Sequence, residues 1–505
     1  MARVESATYE AALAVARRLR ELGHAAYFAG GCVRDMLLGV AAKDFDVATS
    51  ARPEQVMAAF ARTEAVGAHF GVVLVIDKVG VRDSEEVAQT LPQGLKPHSV
   101  AGVDVRAEAR TLQTEPAFES RRVATESRRM ATEVATFRHD GAYSDGRRPD
   151  AVQFSDDPRE DVLRRDFTIN GLLLDALQYE EGDRLEDCVL DFVGGRADLE
   201  AGVVRAIGDP RRRFAEDKLR LLRAVRFAAR LGFAIEPKTM RAMQEQAAEI
   251  GAVSAERVRE ELTKILTEGG ARRGMELLDE TGLLARVLPE VARMQGVEQP
   301  PQYHPEGDVW VHTLLLLGHL PAGASPTLAW GMLLHDVGKP PTFTSPDPAK
   351  PGDRIRFNGH VEVGVAIART ILNRLRFSNE DSEQILSLIQ HHMQFGDVLQ
   401  MKQSTLKRFL RLARFEEHLA LHYADVMSSN RQTGLYEFAK AKFKELGAEA
   451  IKPVLLVNGA DLIAAGYAPG PRFKAMLEAA EDAQLEGAVS TKEAAMAWVR
   501  ERFPA

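Results

Sequence analysis

A chain of 505 residues, 45% of them apolar, exceeds the size at which a single hydrophobic core keeps growing, so two to four folded domains are expected. It contains no apolar run of about 18 residues and no basic-then-apolar leader, which argues against a membrane-bound or secreted protein and makes the cytoplasm the expected location. Two cysteines, Cys32 and Cys188, are too few for a disulfide framework or a thiolate zinc site, and a net charge of −8 argues against a surface that coats itself with nucleic acid.

Residues 9–22 carry helical periodicity, 25–29 read as a short strand, Gly30 and Gly31 as a turn, and 32–38 as the start of a helix. Strands are expected at 44–48 and 72–76. From about 79 to 131 the pattern fails under Pro92, Gly94, Pro97, Gly102 and Pro116, and the segment reads as a surface insertion from a hairpin. Within it, residues 120–126 nearly repeat as 127–133. Helical patterns return at 214–231 and 255–266, residues 289–305 read as a linker, a histidine-rich helical stretch covers about 304–430, and apolar helical segments fill 455–503. The fold class expected is α+β: a head with a mixed β-sheet (1–207, insertion about 79–131), then an all-α neck (208–290), a histidine-rich domain (291–430) and a helical tail (431–505).

Asp44 and Asp46, at i and i+2 on an extended segment, point to one face of a sheet and can share a divalent cation. The glycine pair Gly30 and Gly31 lets backbone N–H groups approach phosphate oxygens, and Arg34 adds positive charge beside them. With Glu133 and the Glu216-Asp217-Lys218-Leu219-Arg220 run, this is the layout of a metal-dependent nucleotidyl transferase. Glu126 shares the local pattern of Glu133. In the neck, Arg205, Arg211, Arg212, Arg213, Lys218, Arg220, Arg223, Arg226 and Arg230 crowd into one stretch with few acids, a local basic face on an acidic protein. Asp217 and Arg220, at i and i+3 on a helix, present an acceptor and a planar donor fork to one base edge. Cytosine and adenine both offer an amino donor to the Asp, whereas guanine and uracil would leave buried polar groups unpaired.

These motifs resemble the bacterial-type (class II) family of tRNA nucleotidyltransferases and poly(A) polymerases. The resemblance is carried by GGxVRDxLLG from Gly30 to Gly39, Asp44 with Asp46, Glu133-Val134-Ala135-Thr136-Phe137-Arg138, and Tyr143-Ser144-Asp145-Gly146-Arg147-Arg148-Pro149. It continues through Arg164-Arg165-Asp166-Phe167-Thr168-Ile169-Asn170, Gly194-Gly195-Arg196-Ala197-Asp198-Leu199 and the EDxxR motif ending at Arg220. It implies Asp44, Asp46 and Glu133 as catalytic Mg²⁺ ligands, with Glu133 preferred to Glu126 because the family pattern follows it. Gly30, Gly31, Arg34, Arg165, Asn170, Asp217 and Arg220 are implied to bind nucleotide. Asp35 either touches nucleotide or braces Arg34 through a salt bridge. Arg223, Arg226 and Arg230 are tRNA phosphate contacts or helix-surface charges, some doing each, and residues 143–149 lie where relatives have a loop that helps switch from C to A addition. The expected activity is CCA addition to tRNA from CTP and ATP. The alternatives are poly(A) synthesis or partial CC or A addition on the same fold, a phosphohydrolase with an RNA-binding head, and a noncatalytic RNA-binding protein.

The later histidines resemble the HD phosphohydrolase superfamily, with Leu333-Leu334-His335-Asp336-Val337-Gly338-Lys339 as the central signature. The resemblance implies one site from His312, His335, Asp336 and Asp425, with His360 and His391 adding ligands for a second and His392 the less favoured of the adjacent pair. A divalent transition metal or Mg²⁺ there suits phosphoester hydrolysis. His304, His418 and His422 are read as surface or satisfied core residues. The sequence does not set the oligomeric state.

Overall fold

A computed structural model describes residues 7–66, 70–76, 131–141, 151–179, 184–350, 352–451 and 454–504, without side chains for 447–451. The chain divides into two compact units, Met1–Asp209 and Pro210–Ala505. The insertion at 79–130 and the motif at 143–149 lie outside the described residues.

The first unit is built on a mixed sheet. Its strands are β1 (Ala26–Ala29), β2 (Val47–Thr49), β3 (Thr63–Glu64), β4 (Val72–Ile76), β5 (Ala131–Thr136), β8 (Leu172–Leu174) and β9 (Val189–Asp191); β6 (Arg138–Asp140) and β7 (Val152–Phe154) form a separate pair. The order across the large sheet is β3-β4-β5-β2-β1-β8-β9. Only β2 and β5 run parallel, in the register Val47 to Val134; the other neighbours are antiparallel. Strands β4 and β5 pair directly from Ile76 opposite Ala131 to Val72 opposite Ala135. Ala29, Ala48, Phe137, Val162 and Leu173 pack into one buried cluster of the head.

The first helix, Ala7–Glu21, and the helix Gly31–Leu37 match the periodicity, but β2 starts at Val47, so Asp44 and Asp46 precede the strand. The ladder still reaches Asp46, whose carbonyl accepts from Ala29 N–H at 3.1 Å.

The second unit is helical. The expected continuous helix across 214–231 is broken: Pro210–Glu216 ends, three residues turn, and Arg220–Leu231 begins. The Asp217 carboxylate accepts from Leu219 N–H at 3.1 Å, a local bond that competes with helix continuation. Residues 289–305, read as a linker, start with the short helix Pro289–Ala292 and bury Val291, Met294 and Gln299. Helices Val309–Gly318, Pro326–Leu334, His360–Arg374, Asn379–His391 and Phe415–Ser428 then carry the histidines. No helix among the described residues is long and apolar enough to cross a membrane.

Candidate functional site

In the head, the strand-to-helix turn after β1 is made by Gly30 at φ +75°. A Cβ at Gly30 would stand 3.0 Å from the Arg165 guanidinium, so the position is fixed both by backbone conformation and by what approaches it. Arg34, almost wholly buried, donates from Nε to Asp35 Oδ1 at 2.8 Å and from Nη1 to Asn170 Oδ1 at 2.6 Å. Asp35 is thus a brace for Arg34, one of the two roles the sequence left open. Asn170 in turn donates to Asp166 Oδ1 at 3.1 Å. Arg165 is held by the fully buried Asp161, donating to Oδ2 from Nη2 at 2.9 Å and from Nε at 3.2 Å, and reaches the Asn170 carbonyl at 3.4 Å. Asp161 has no signal in the nucleotide-binding motifs and was missed.

The three head carboxylates gather by register. Val47 stands opposite Val134 on parallel strands, so Asp46 and Glu133, each one residue earlier, come alongside each other, and Asp44 is close enough for its charge to act on Asp46. Their electrostatics agree: burial, the Glu133 charge and Asp44 push Asp46 up to about 6, against the opposing pull of Arg165. Burial also raises Glu133. Acids that repel one another at a surface that solvent and ions can reach favour a cation between them. They are not drawn into a tight cluster: among the described residues, the groups with all ligand atoms within 4.8 Å lie in the second unit.

The neck residues in the second unit part company with the sequence reading. Asp217 lies in the turn, not on the helix with Arg220. Its carboxylate accepts from Arg257 Nη2 at 3.0 Å, while Arg220 Nη1 donates to Glu216 Oε2 and to the Arg213 carbonyl, both at 2.9 Å. Arg257 was missed because it stands on another helix, Ala255–Thr267. Arg226, expected among RNA-facing residues, is buried and donates to Glu261 at 2.7 Å and Glu268 at 3.2 Å, so its charge is committed inside the neck. Arg230 lies 3.8 Å from Glu268 and stays partly exposed, and Arg223 is half-buried with its guanidinium 5.3 Å from the Phe227 ring centre.

The histidine-rich cluster is the tightest assembly. Asp336, buried, is 3.1 Å from His335 Nε2 and 2.7 Å from Lys339 Nζ, with His312, His360 and His392 Nε2 at 4.0, 3.9 and 3.9 Å. Against burial, which raises it, His335, Lys339 and His312 hold its carboxyl well below the usual range. Asp425 Oδ1 lies 3.1 Å from His312 Nε2. Each ring is tied by Nδ1: His312 to Glu306 Oε1 at 2.7 Å, His335 to the Met332 carbonyl at 2.9 Å, His360 to the Phe357 carbonyl at 2.9 Å and His392 to the Ile389 carbonyl at 2.7 Å. That leaves Nε2 of His312, His335 and His360 buried without a well-aligned hydrogen bond, turned toward the carboxylates of Asp336 and Asp425. Imidazoles pinned at Nδ1 with Nε2 turned toward buried carboxylates are the mixed donor set a divalent metal requires. Burial pulls His312 down, but Asp425 and Glu306 push it up to about 9.

His391 is not in this cluster. Its Nδ1 meets the Ser387 carbonyl at 2.8 Å and its ring lies 5.9 Å from that of His418. His392, the less favoured of the pair, takes the place instead, grouped with Asp336 and His360. Glu306, which also binds His304 Nδ1 at 2.9 Å, was missed; only its position six residues before His312 hinted at it. The cluster opens into a cavity of about 790 Å³ edged by Arg354, Arg356, Phe357 and Leu399.

Three family models match the chain: the poly(A) polymerase head domain over residues 26–91 and 96–205, the probable RNA- and SrmB-binding site of polymerase A over 232–295, and the HD domain over 310–413. A CCA-adding enzyme of Geobacillus stearothermophilus is 36% identical over 284 residues, 56% of this chain and 55% of that protein. An A-adding tRNA nucleotidyltransferase of Deinococcus radiodurans is 34% identical over 370 residues, 70% of this chain and 81% of that protein. The chain thus spans a little over half the length of the Geobacillus relative and most of the Deinococcus one. A crystal structure of the Bacillus stearothermophilus CCA-adding enzyme in complex with CTP superposes with a TM-score of 0.65 at 25% identity, covering 98% of both chains. With the glycine turn, the paired carboxylates and the HD cluster all in place, the chain belongs to the tRNA nucleotidyltransferase and poly(A) polymerase family.

Proposed function

We propose that this protein adds C, C and A to tRNA 3′ ends from CTP and ATP without a nucleic-acid template, releasing pyrophosphate. The observation that carries this reading is the register that brings Asp46 beside Glu133, with the charges of Glu133 and Asp44 both acting on Asp46 and helping to push it up to about 6. Asp44, Asp46 and Glu133 would hold Mg²⁺, which supplies charge neutralisation at the triphosphate and acidifies the primer hydroxyl. Arg34 and Arg165, each locked by a buried acid, present fixed positive charge to phosphates beside the Gly30 and Gly31 turn, and Asn170 braces Arg34. Asp217 accepts the amino hydrogen that cytosine and adenine share, and Arg220 donates to the adjacent ring nitrogen. Arg223 and Arg230 remain the phosphate contacts proposed for tRNA, and the cytoplasm, where tRNA and nucleotides meet, is the proposed location.

The HD centre is proposed to bind a divalent metal through His312, His335, Asp336, His360, His392 and Asp425 and to hydrolyse phosphoesters. A-only addition is the second reading, favoured by the long match to the Deinococcus A-adding relative. Incubation with CTP, ATP and tRNAs ending either in the discriminator base or in CC, followed by sequencing of the ends, separates the two. Ordered C, C, A addition to the first substrate that Asp46→Ala abolishes is the expected result. Extension of the CC-ended tRNA alone overturns CCA addition in favour of A addition, and no extension of either overturns the transferase reading.

A further inference from the structure

Two side chains proposed to read the base edge are anchored in different ways. Arg220 is held by its own neighbourhood, from Arg213 and Glu216 on the helix just before it. Asp217 sits in a three-residue turn between helices, where the backbone alone fixes its carboxylate poorly. Its only other described anchors are Leu219 N–H on Oδ1 at 3.1 Å and Arg257 on Oδ2 at 3.0 Å and Oδ1 at 3.4 Å. Both side chains of that pair are about one-fifth exposed, 22% for Arg257 and 18% for Asp217, so the contact lies at the edge of solvent, where a ligand can reach the carboxylate.

The geometry points to Arg257 as a positioning residue for base selection. It rests on the reading of Asp217 as a base reader and adds the group that aims it. Arg257 stands in the first turn of the helix Ala255–Thr267, and that helix is bolted to Arg220–Leu231 by Arg226 with Glu261 and Glu268. The Asp217 carboxylate is therefore referenced to the same helix that carries Arg220, and the acceptor and donor keep a fixed separation. With two donors already on it, the carboxylate keeps free lone pairs in a restricted direction, and a base with a carbonyl there meets an oriented acceptor instead of a swinging one. Without Arg257 the carboxylate rotates, and guanine and uracil lose their penalty more than cytosine and adenine lose their bond.

The test measures incorporation of each of the four nucleotides into tRNA by the full-length protein carrying Arg257→Gln, Arg257→Lys, Asp217→Ala, and Asp217→Ala with Arg257→Gln. Expected is a loss of at least about tenfold in the preference for C and A over G and U in Arg257→Gln, read as ratios of kcat/KM. Arg257→Lys restores part of it, and the double variant is no less selective than Asp217→Ala alone, because one residue acts through the other. An unchanged preference in Asp217→Ala overturns the base-reader reading and this inference with it. A relaxed Asp217→Ala beside an unrelaxed Arg257→Gln overturns the inference alone. So does a uniform fall for all four nucleotides together with a lowered Tm, the signature of a merely structural arginine.

Discussion

Replacing Asp161 by Asn tests whether Arg165, proposed to face the nucleotide, is held by a buried charge. The Asp161 side chain is fully buried and accepts from Arg164 at 3.0 and 2.5 Å on Oδ1 and from Arg165 at 3.2 and 2.9 Å on Oδ2. An amide keeps the shape but loses the charge, and its NH₂ turns a donor toward one guanidinium. Removing one partner of a buried ion pair costs about 3–5 kcal/mol. Here Arg164 and Arg165 are 19% and 18% exposed, so water recovers part of that, and a loss of roughly 2–4 kcal/mol is expected. At ~2–4 °C per kcal/mol for a unit of this size, the head transition in calorimetry of the full chain falls by roughly 4–16 °C. The pH dependence has a definite sign. The two arginines, acting against burial, lower the folded pKa of Asp161, so its contribution is complete above the unfolded value of about 4 and is lost as pH falls through the folded one. The gap between wild type and variant must therefore be full at pH 7 and start to close below pH ~4. With Arg165 released, the KM for nucleotide rises at the same time. A shift under about 2 °C at pH 7 refutes the reasoning, because the pair would then be solvated in all but appearance.

Two other outcomes follow. His392→Ala lowers the metal content of the purified protein, measured by elemental analysis, by tenfold or more in affinity, whereas His391→Ala leaves it near wild type; equal losses in both would restore the original assignment of His391. His418 is buried against Phe415 and His391, and burial first, then the His391 charge, lowers it to about 4. Between about pH 6.5 and 4 the unfolded chain binds a proton there that the folded chain refuses, so stability rises with pH in that window by ~1.4 kcal/mol per unit and levels off above it. His418→Gln should flatten the acid side of a urea-unfolding series, and an unaltered slope would show that the folded imidazole titrates normally.

The parts of these sites legible in the sequence are those encoded over a few residues. The one-residue spacing of Asp44 and Asp46 marked two carboxylates whose charges act on each other, though ahead of the strand and not on it, and the glycine pair marked a strand-to-helix turn that the structure places at Gly30. The signal that breaks the neck helix was also local: an aspartate whose side chain caps the amide two residues on, a habit that makes Asp a poor helix interior residue. It was overridden because the apolar periodicity runs on into Leu221, Leu222 and Val225, and periodicity constrains the face of a helix far better than its ends. His391 and His392 differ for the same reason. The helix Asn379–His391 ends between them and a tighter turn starts at His392, so the direction of each ring depends on where the helix stops.

What sequence order could not carry is the partner of a charge. Arg226 has the same chemistry as Arg223 three positions earlier and lies in the same basic stretch, yet it is buried because Glu261 on the helix Ala255–Thr267 and Glu268 just past its end reach it from across the packing interface. A guanidinium is recruited inward when opposing acids satisfy its fork, and nothing in the local spacing says that they will. The same rule separates Asp217 from Arg220. Spacing made them look like one pair, but each found a better-placed partner first, Arg257 for one and Glu216 for the other. Neither is spent by that: a carboxylate and a guanidinium have more bonding positions than one partner uses, and the partner fixes the direction in which the remainder points. In a site that must tell bases apart by where hydrogens lie, fixing that direction is the part of recognition a linear motif does not contain.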